Sequence, residues 1–323
     1  MADSEEHGAE LFLRLVESFT PEDHPRILLL TGGEPLLRPA LVRTITELAH
    51  AAGTEVMLIS GMFFARQRRI PRAIREAIDC VDHFTASLDT FHEQQVGRDA
   101  VLRVLGTLVD AGKDVSLQVI GLNAGDPYLA EVTRDAREAL HDRVPMLVGQ
   151  VGYNGRARDW LAPPETAVNG GQVSPDPCYM AAWPVVTFDG TVVACCNQTV
   201  VDGPPPSHLR VGHTTVDTWG DIRRRVLTST HLRALRVFGP NYVAERFGGT
   251  GRSCGGYCET CYSLGGDEML EQRLAPVMAR PTMPFVEAQV QNLPAVHFSS
   301  LSGLPEYAHL ATLGYQQDVA CAV

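Results

Sequence analysis

Residues 26–35 read RILLLTGGEP, and the reading of this stretch decides the fold. Four consecutive apolar residues are too few for a helix but suit a strand buried on both faces, and Thr-Gly-Gly closes it with a turn. Upstream, Leu11, Phe12, Leu15, Val16 and Phe19 fall on one helical stripe within 7–19. Downstream the alternation continues: a helix near 39–52, a strand at 54–60, a helix near 70–79, a strand around 81–89 and a helix near 97–111. A strand at 114–122, a helix near 127–141 and a strand at 144–151 follow. Strands that alternate regularly with helices imply a parallel sheet with right-handed crossovers. A doubly wound sheet and a barrel both satisfy this pattern, and each places its ligands at the carboxyl ends of the strands.

Near residue 160 the texture changes. LAPPETAVNGGQVSPDPC (161–178) is rich in Pro, Gly and polar residues and reads as a linker. Beyond it, PVVTFDGTVVACC (184–196) predicts a β-hairpin, with Asp189-Gly190 as a two-residue turn between two apolar runs. A Pro-rich loop (203–209), a helix from about 216 to 236 and the cysteine-rich stretch CGGYCETC (254–261) follow. The tail from about 263 contains helical pieces such as GDEMLEQRLAPVMA, and its Cys321 reads as an incidental thiol. The expected organisation is an α/β domain over 1–160, a smaller cysteine-rich α+β domain over 161–265 and a helical tail over 266–323.

The chain has 323 residues, 45% of them hydrophobic, which is ample for a buried core. Its 27 Lys and Arg against 38 Asp and Glu give a net charge of −11, which repels polyanions and argues against nucleic acid as a partner. The basic run RQRRIPRAIR (66–75) reads as a solvated helix face that could also receive an acidic partner. No apolar run reaches 18 residues, and the first ten residues, MADSEEHGAE, are acidic where a secretory signal is basic and then apolar. The expectation is a cytoplasmic enzyme without membrane contact.

Eight cysteines are present, and six lie between Cys178 and Cys261, a clustering that points to a metal site. Disulfides are the alternative, disfavoured for a chain of this size in a reducing compartment. At the end of the 27–30 strand, Gly32 and Gly33 let the backbone approach a ligand closely, and Glu34 offers a carboxylate suited to an ammonium group.

TGGEPLLRPAL (31–41) resembles the GGEP segment of radical S-adenosylmethionine (SAM) enzymes, in which these residues hold the cofactor's methionine amino group. SLDTFHEQQVGR (87–98) resembles the family's Ser-Leu-Asp stretch near the ribose, LISG (58–61) and GLNAG (121–125) match its later strand ends, and YNGRARD (153–159) resembles its Gly-Arg-Ala segment. The resemblance implies a partial (β/α) barrel in which Gly32, Gly33, Glu34, Ser60 and Ser87 contact SAM. Cys178, Gly190 and Cys195 follow the spacing of the SPASM and twitch domains, and VGHTTVDTWGDIRRRV (211–226) resembles the helix between their cysteine groups. A hairpin with cysteines before one strand and after the other brings both thiolates to one end, where a second cysteine-rich loop completes the ligation. This implies an auxiliary [4Fe-4S] cluster on Cys178, Cys195, Cys258 and Cys261, with Cys254 as a further ligand and Cys196 a buried or spare thiol. Four thiolates also suit tetrahedral zinc.

In the family a CxxxCxxC loop precedes GGEP and binds the iron that cleaves SAM. Here CGGYCETC has that spacing but lies downstream, and no such motif precedes Glu34. The expectation is that the first strand and its cysteine loop are missing by truncation, a second cluster belonging to that segment. A degenerate relative that binds SAM, substrate or peptide without radical chemistry is a second explanation, and service of the GGEP site by CGGYCETC itself a third. The resemblance implies hydrogen abstraction from a peptide or small-molecule substrate by a 5′-deoxyadenosyl radical, with a flavodoxin or ferredoxin as reductant. The alternative is a non-catalytic binding module with a structural metal. No catalytic residue is assigned: His83 and His92 flank the Ser-Leu-Asp strand without a role, and Asp89 either touches cofactor or caps a turn.

Overall fold

A computed structural model describes residues 8–152, 174–249, 256–291 and 303–314. The described residues divide into two compact units, one from Thr20–Val151 with Ala295–Val323 and the other from Met1–Phe19 with Gly152–Pro294. Helix α1 (Glu10–Glu17) therefore groups with the cysteine-bearing unit, where a boundary at residue 160 had put it with the sheet. Within that unit Trp219 donates its backbone N–H to Ser18 Oγ at 2.8 Å, and the rings of Phe19 and Trp219 meet edge to face at 5.6 Å.

The sheet unit alternates strand and helix: β1 (Ile27–Leu30), α2 (Pro39–Ala52), β2 (Glu55–Ser60), α3 (Arg72–Cys80) and β3 (His83–Leu88). It continues through α4 (Thr90–Gln95), α5 (Arg98–Asp110), β4 (Val115–Gly121), α6 (Pro127–Leu140) and β5 (Met146–Gln150). The five strands are all parallel and lie in the order β1-β2-β3-β4-β5. A doubly wound sheet needs a reversal in strand order, and none is present. Successive right-handed crossovers in an unreversed order keep every helix on one side, an arrangement compatible with a partial (β/α) barrel.

The register separates the two faces. Leu28 and Leu30 pair with Val56 and Leu58, Leu58 with Phe84, and Ala86 and Leu88 with Leu117 and Val119, so these residues share one apolar side. That side meets the helices. Val42, Ile45, Ala49 and Ala52 of α2 are buried at helical spacing, and Gly121 ends β4 where any Cβ would lie 2.6 Å from Leu129 Cγ of α6. The other side is polar at its centre: the two ring nitrogens of His83 meet Asp114 and Ser116 at 2.7 Å each, and Thr85 bonds Ser116 at 2.9 Å. At one margin, β1 has no strand partner on its outer edge among the described residues, and Ile27 and Leu29 are each 46% exposed. At the other, Leu304 donates its N–H to Val148 O at 2.7 Å and the 3₁₀ segment Pro305–Thr312 packs on β5, so this part of the expected tail belongs to the sheet unit.

The second unit contains β6 (Val185–Val186), β7 (Thr191–Val193), α7 (Gln198–Asp202), β8 (Arg210–His213), α8 (Trp219–Thr228) and α9 (Thr230–Phe238). After these come α10 (Pro240–Phe247), α11 (Tyr257–Ser263), α12 (Leu270–Met278) and α13 (Met283–Gln291). The β6–β7 hairpin forms, but its turn differs from the two-residue one expected. Gly190 N–H bonds Thr187 O and Thr187 N–H bonds Thr191 O, leaving a three-residue loop that ends on Gly190 at φ +89°. Strand β8, which carries no strong alternation, joins β7 as a third antiparallel strand. The single helix expected over 216–236 is two, because Ser229 leaves helical geometry at ψ 123° and its Oγ caps α9 on Leu232 N–H. The basic run is α-helical only from Arg72, and there Arg72 and Arg75 pair with Glu76 and Asp79 one turn on. No described helix is long and apolar enough to cross a membrane.

Candidate functional site

The carboxyl ends of β1, β2 and β3 converge on Glu34. Gly32 holds φ +91°, which favours glycine, and a Cβ on Gly32 or Gly33 would meet nothing within 4 Å, so the space over this turn is open to a ligand. Glu34 caps the 3₁₀ turn Pro35–Leu37: its Oε1 accepts Leu36 N–H at 3.0 Å. Its Oε2 accepts the Ser60 hydroxyl at 3.0 Å and Gly61 N–H at 2.9 Å, and Ser60 Oγ in turn accepts Met62 N–H at 3.0 Å. A carboxylate has about four acceptor positions, so one remains on Oε1. Burial raises the Glu34 pKa, against the lowering effect of those hydrogen bonds and of His92.

Asp89 caps α4, accepting Phe91 and His92 N–H at 2.8 and 2.7 Å, and holds His92 Nδ1 at 2.7 Å. Burial works to raise the Asp89 pKa, but the hydrogen bonds from the His92 ring and backbone outweigh it and hold the carboxyl below its ordinary value. The imidazole lies against Gly61, where a Cβ would stand 3.0 Å from His92 Nε2 and 3.7 Å from Glu34 Oε2. Gly32, Gly33, Glu34 and Ser60 are thus gathered at one place. Ser87 is not among them: Ala86, its neighbour, is the residue paired with Ser60, so Ser87 projects from the opposite, polar side of the sheet.

In the second unit the expected thiols come from three segments. Cys178 precedes the 3₁₀ turn Tyr179–Ala182, Cys195 follows β7, and Cys258 and Cys261 lie three residues apart on one side of α11. The four share one electrostatic neighbourhood. Burial, with smaller contributions from Cys178, Cys196 and Cys258, pushes the Cys195 thiol up to about 11 against a hydrogen bond from the Asn197 backbone. Burial likewise raises Cys261, with Cys178, Cys195 and Cys258 adding to the effect. Cys178 is raised by burial against hydrogen bonds from the Met180 and Ala181 amides. Cys196, expected to be a buried or a spare thiol, is exposed, and Cys254 lies outside the described residues, as do YNGRARD and Cys321.

Packing explains how Cys178 arrives there. Its N–H bonds Leu235 O at 3.0 Å, Asp176 N–H bonds Phe238 O at 3.0 Å, and the Tyr257 hydroxyl bonds Asp176 O at 2.7 Å. Gly239, at φ +73°, permits this approach, since a Cβ there would lie 1.8 Å from Asp176 O. Asn197 caps α7 through Oδ1 and hydrogen-bonds Cys258 through its side chain, while Arg236 lies within charge range of Cys178. Arg236 Nη1 also donates to the Ala181 and Val226 carbonyls at 3.2 and 2.9 Å.

Asn197, Arg236, Gly239 and Tyr257 had no signal in the sequence, because each acts through a partner far along the chain. Among the described residues no three Cys, His, Asp or Glu already stand in the geometry of a metal site. The donor set nevertheless fits an iron–sulfur centre or zinc in its chemistry: soft sulfurs, partly buried, which raise one another's pKa unless a cation offsets their charge. No protein-family model matches the chain, and no curated protein matches it significantly.

Proposed function

We propose that this chain is an enzyme of the radical SAM type, with SAM received at the carboxyl ends of β1–β3 and an auxiliary iron–sulfur cluster held by Cys178, Cys195, Cys258 and Cys261. The observation that carries this reading is the arrival of those thiols from three separate segments of one unit, with Cys178, Cys195 and Cys258 each acting on Cys261. SAM would supply a 5′-deoxyadenosyl radical for hydrogen abstraction from a peptide or small molecule on receiving one electron from an iron–sulfur cluster held by a CxxxCxxC loop, a motif that does not precede Glu34 in this sequence, and the auxiliary cluster would supply an electron acceptor or anchor. The open acceptor position of Glu34 receives the ammonium group, and the backbone at Gly32 and Gly33 lines its approach. Asp89 fixes the His92 ring beside them. The four cysteines lose their protons to become ligands, and Arg236 offsets part of that charge. A partial barrel, a reducing cytoplasmic setting and a flavodoxin or ferredoxin donor complete the proposal.

Two measurements on protein prepared without oxygen test it. Calorimetric titration with SAM is expected to show binding, and the visible spectrum after iron and sulfide reconstitution a broad charge-transfer band. No SAM binding together with a colourless, zinc-loaded protein would replace this reading with a non-catalytic binding module.

A further inference from the structure

His208 lies in the 3₁₀ turn Ser207–Leu209, directly after three prolines, with Leu209 N–H bonded to Pro206 O at 2.9 Å. The last residue before the Cys195 pair is tied to the same turn, Ala194 N–H bonding Leu209 O at 2.8 Å. His208 Nε2 stands 3.9 Å from Cys261 Sγ, at the outer limit of a hydrogen bond to sulfur, and the ring also lies within hydrogen-bond reach of the Cys261 backbone. Two neighbours fix the ring there. The His231 imidazole lies 5.6 Å away, centroid to centroid, at a 35° tilt, and Gly265 lies close by, where a Cβ would stand 3.3 Å from His208 Nδ1 and 2.6 Å from Pro206 Cβ.

We propose that His208 donates its Nε2 hydrogen to the Cys261 sulfur and thereby sets the reduction potential of the iron–sulfur centre; this rests on the cluster assignment above. The second ring nitrogen decides between donor and ligand. Nδ1 is buried and has no hydrogen-bond partner among the described residues. A histidine that ligates through Nε2 carries its proton on Nδ1 and normally donates it to a carbonyl or carboxylate. Here that proton would be an orphaned buried N–H, whereas the donor tautomer leaves only a bare lone pair on Nδ1, the milder loss. Reduction places added negative charge partly on the ligating sulfurs. An N–H aimed at one of them stabilises the reduced state more than the oxidised one and shifts the potential positive.

The test uses the full chain reconstituted anaerobically, with His208→Leu and His208→Gln beside the parent, iron content measured first and potential by spectroelectrochemical titration. His208→Leu is expected to keep its iron and shift to a more negative potential, and His208→Gln, which can still donate, to recover part of the shift. Full iron with an unmoved potential in His208→Leu overturns this inference alone. Loss of iron in both variants also overturns it, since His208 would then be a ligand. Failure of the parent protein to take up iron overturns it together with the cluster assignment.

Discussion

Glu34 acts as a staple between two strand ends as well as a charge for a ligand, and its substitution should separate the two. In Glu34→Ala the Leu36, Ser60 and Gly61 donors lose their shared acceptor, so stability should fall by about 1–3 kcal/mol. SAM affinity should fall by a further charge-assisted contact, about 1.5–3 kcal/mol by calorimetry. Unchanged affinity in a folded variant would remove Glu34 from the binding role. Because burial raises the Glu34 pKa, its ionised form is lost at a higher pH than an exposed glutamate's as the solution is acidified. Binding of a cationic ligand should weaken over that window. The TGGEP turn was legible because a strand end, two glycines and a carboxylate occur together within five residues. His208 and Gly239 were not, because an imidazole 53 residues from its sulfur and a glycine pressed on Asp176 gain meaning only from packing.

At the scale of elements, every strand and major helix of the sheet unit was readable, since each has an unbroken apolar pattern bounded by a turn. The failures lie in the second unit, where strands are two to four residues long and capping chemistry overrides periodicity. Phe188 sits inside the hairpin loop although apolar, and Ser229 divides a continuous apolar stripe into α8 and α9. Close backbone approaches make sharper predictions. Gly121→Ala forces a Cβ onto Leu129 and should destabilise the sheet unit by about 1–3 kcal/mol in denaturant titration, with metal uptake by the cysteines unaffected. Gly239→Ala should do the reverse: the Asp176 segment must move, carrying Cys178 with it, and iron uptake should fall. Full uptake in Gly239→Ala would show that the Asp176–Gly239 contact does not position the thiol.

Over the whole molecule, two units divide the chemistry, one presenting a carboxylate at the end of a parallel sheet and the other a set of thiols that runs from buried Cys195 to exposed Cys258. The unreversed strand order could not be read from periodicity, because order is a property of pairing and not of any one segment. The raised thiol pKa values set a pH dependence for metal uptake. With Cys195 near 11, the thiols are protonated at neutral pH and must release protons to ligate, so affinity should rise with pH by roughly tenfold per unit for each proton released. Cobalt(II) titration followed by its thiolate charge-transfer band reads this directly, and a pH-independent affinity would show that the thiols are not the ligands.

The central claim is that four thiols from three segments hold one iron–sulfur centre, and the most direct test is the iron and acid-labile sulfide content of anaerobically reconstituted protein. The account predicts about four of each per chain for a [4Fe-4S] centre, with substantial loss in Cys178→Ala, Cys195→Ala, Cys258→Ala and Cys261→Ala and none in Cys80→Ala. Absence of iron from the parent protein, or undiminished iron in all four of those variants, would contradict it.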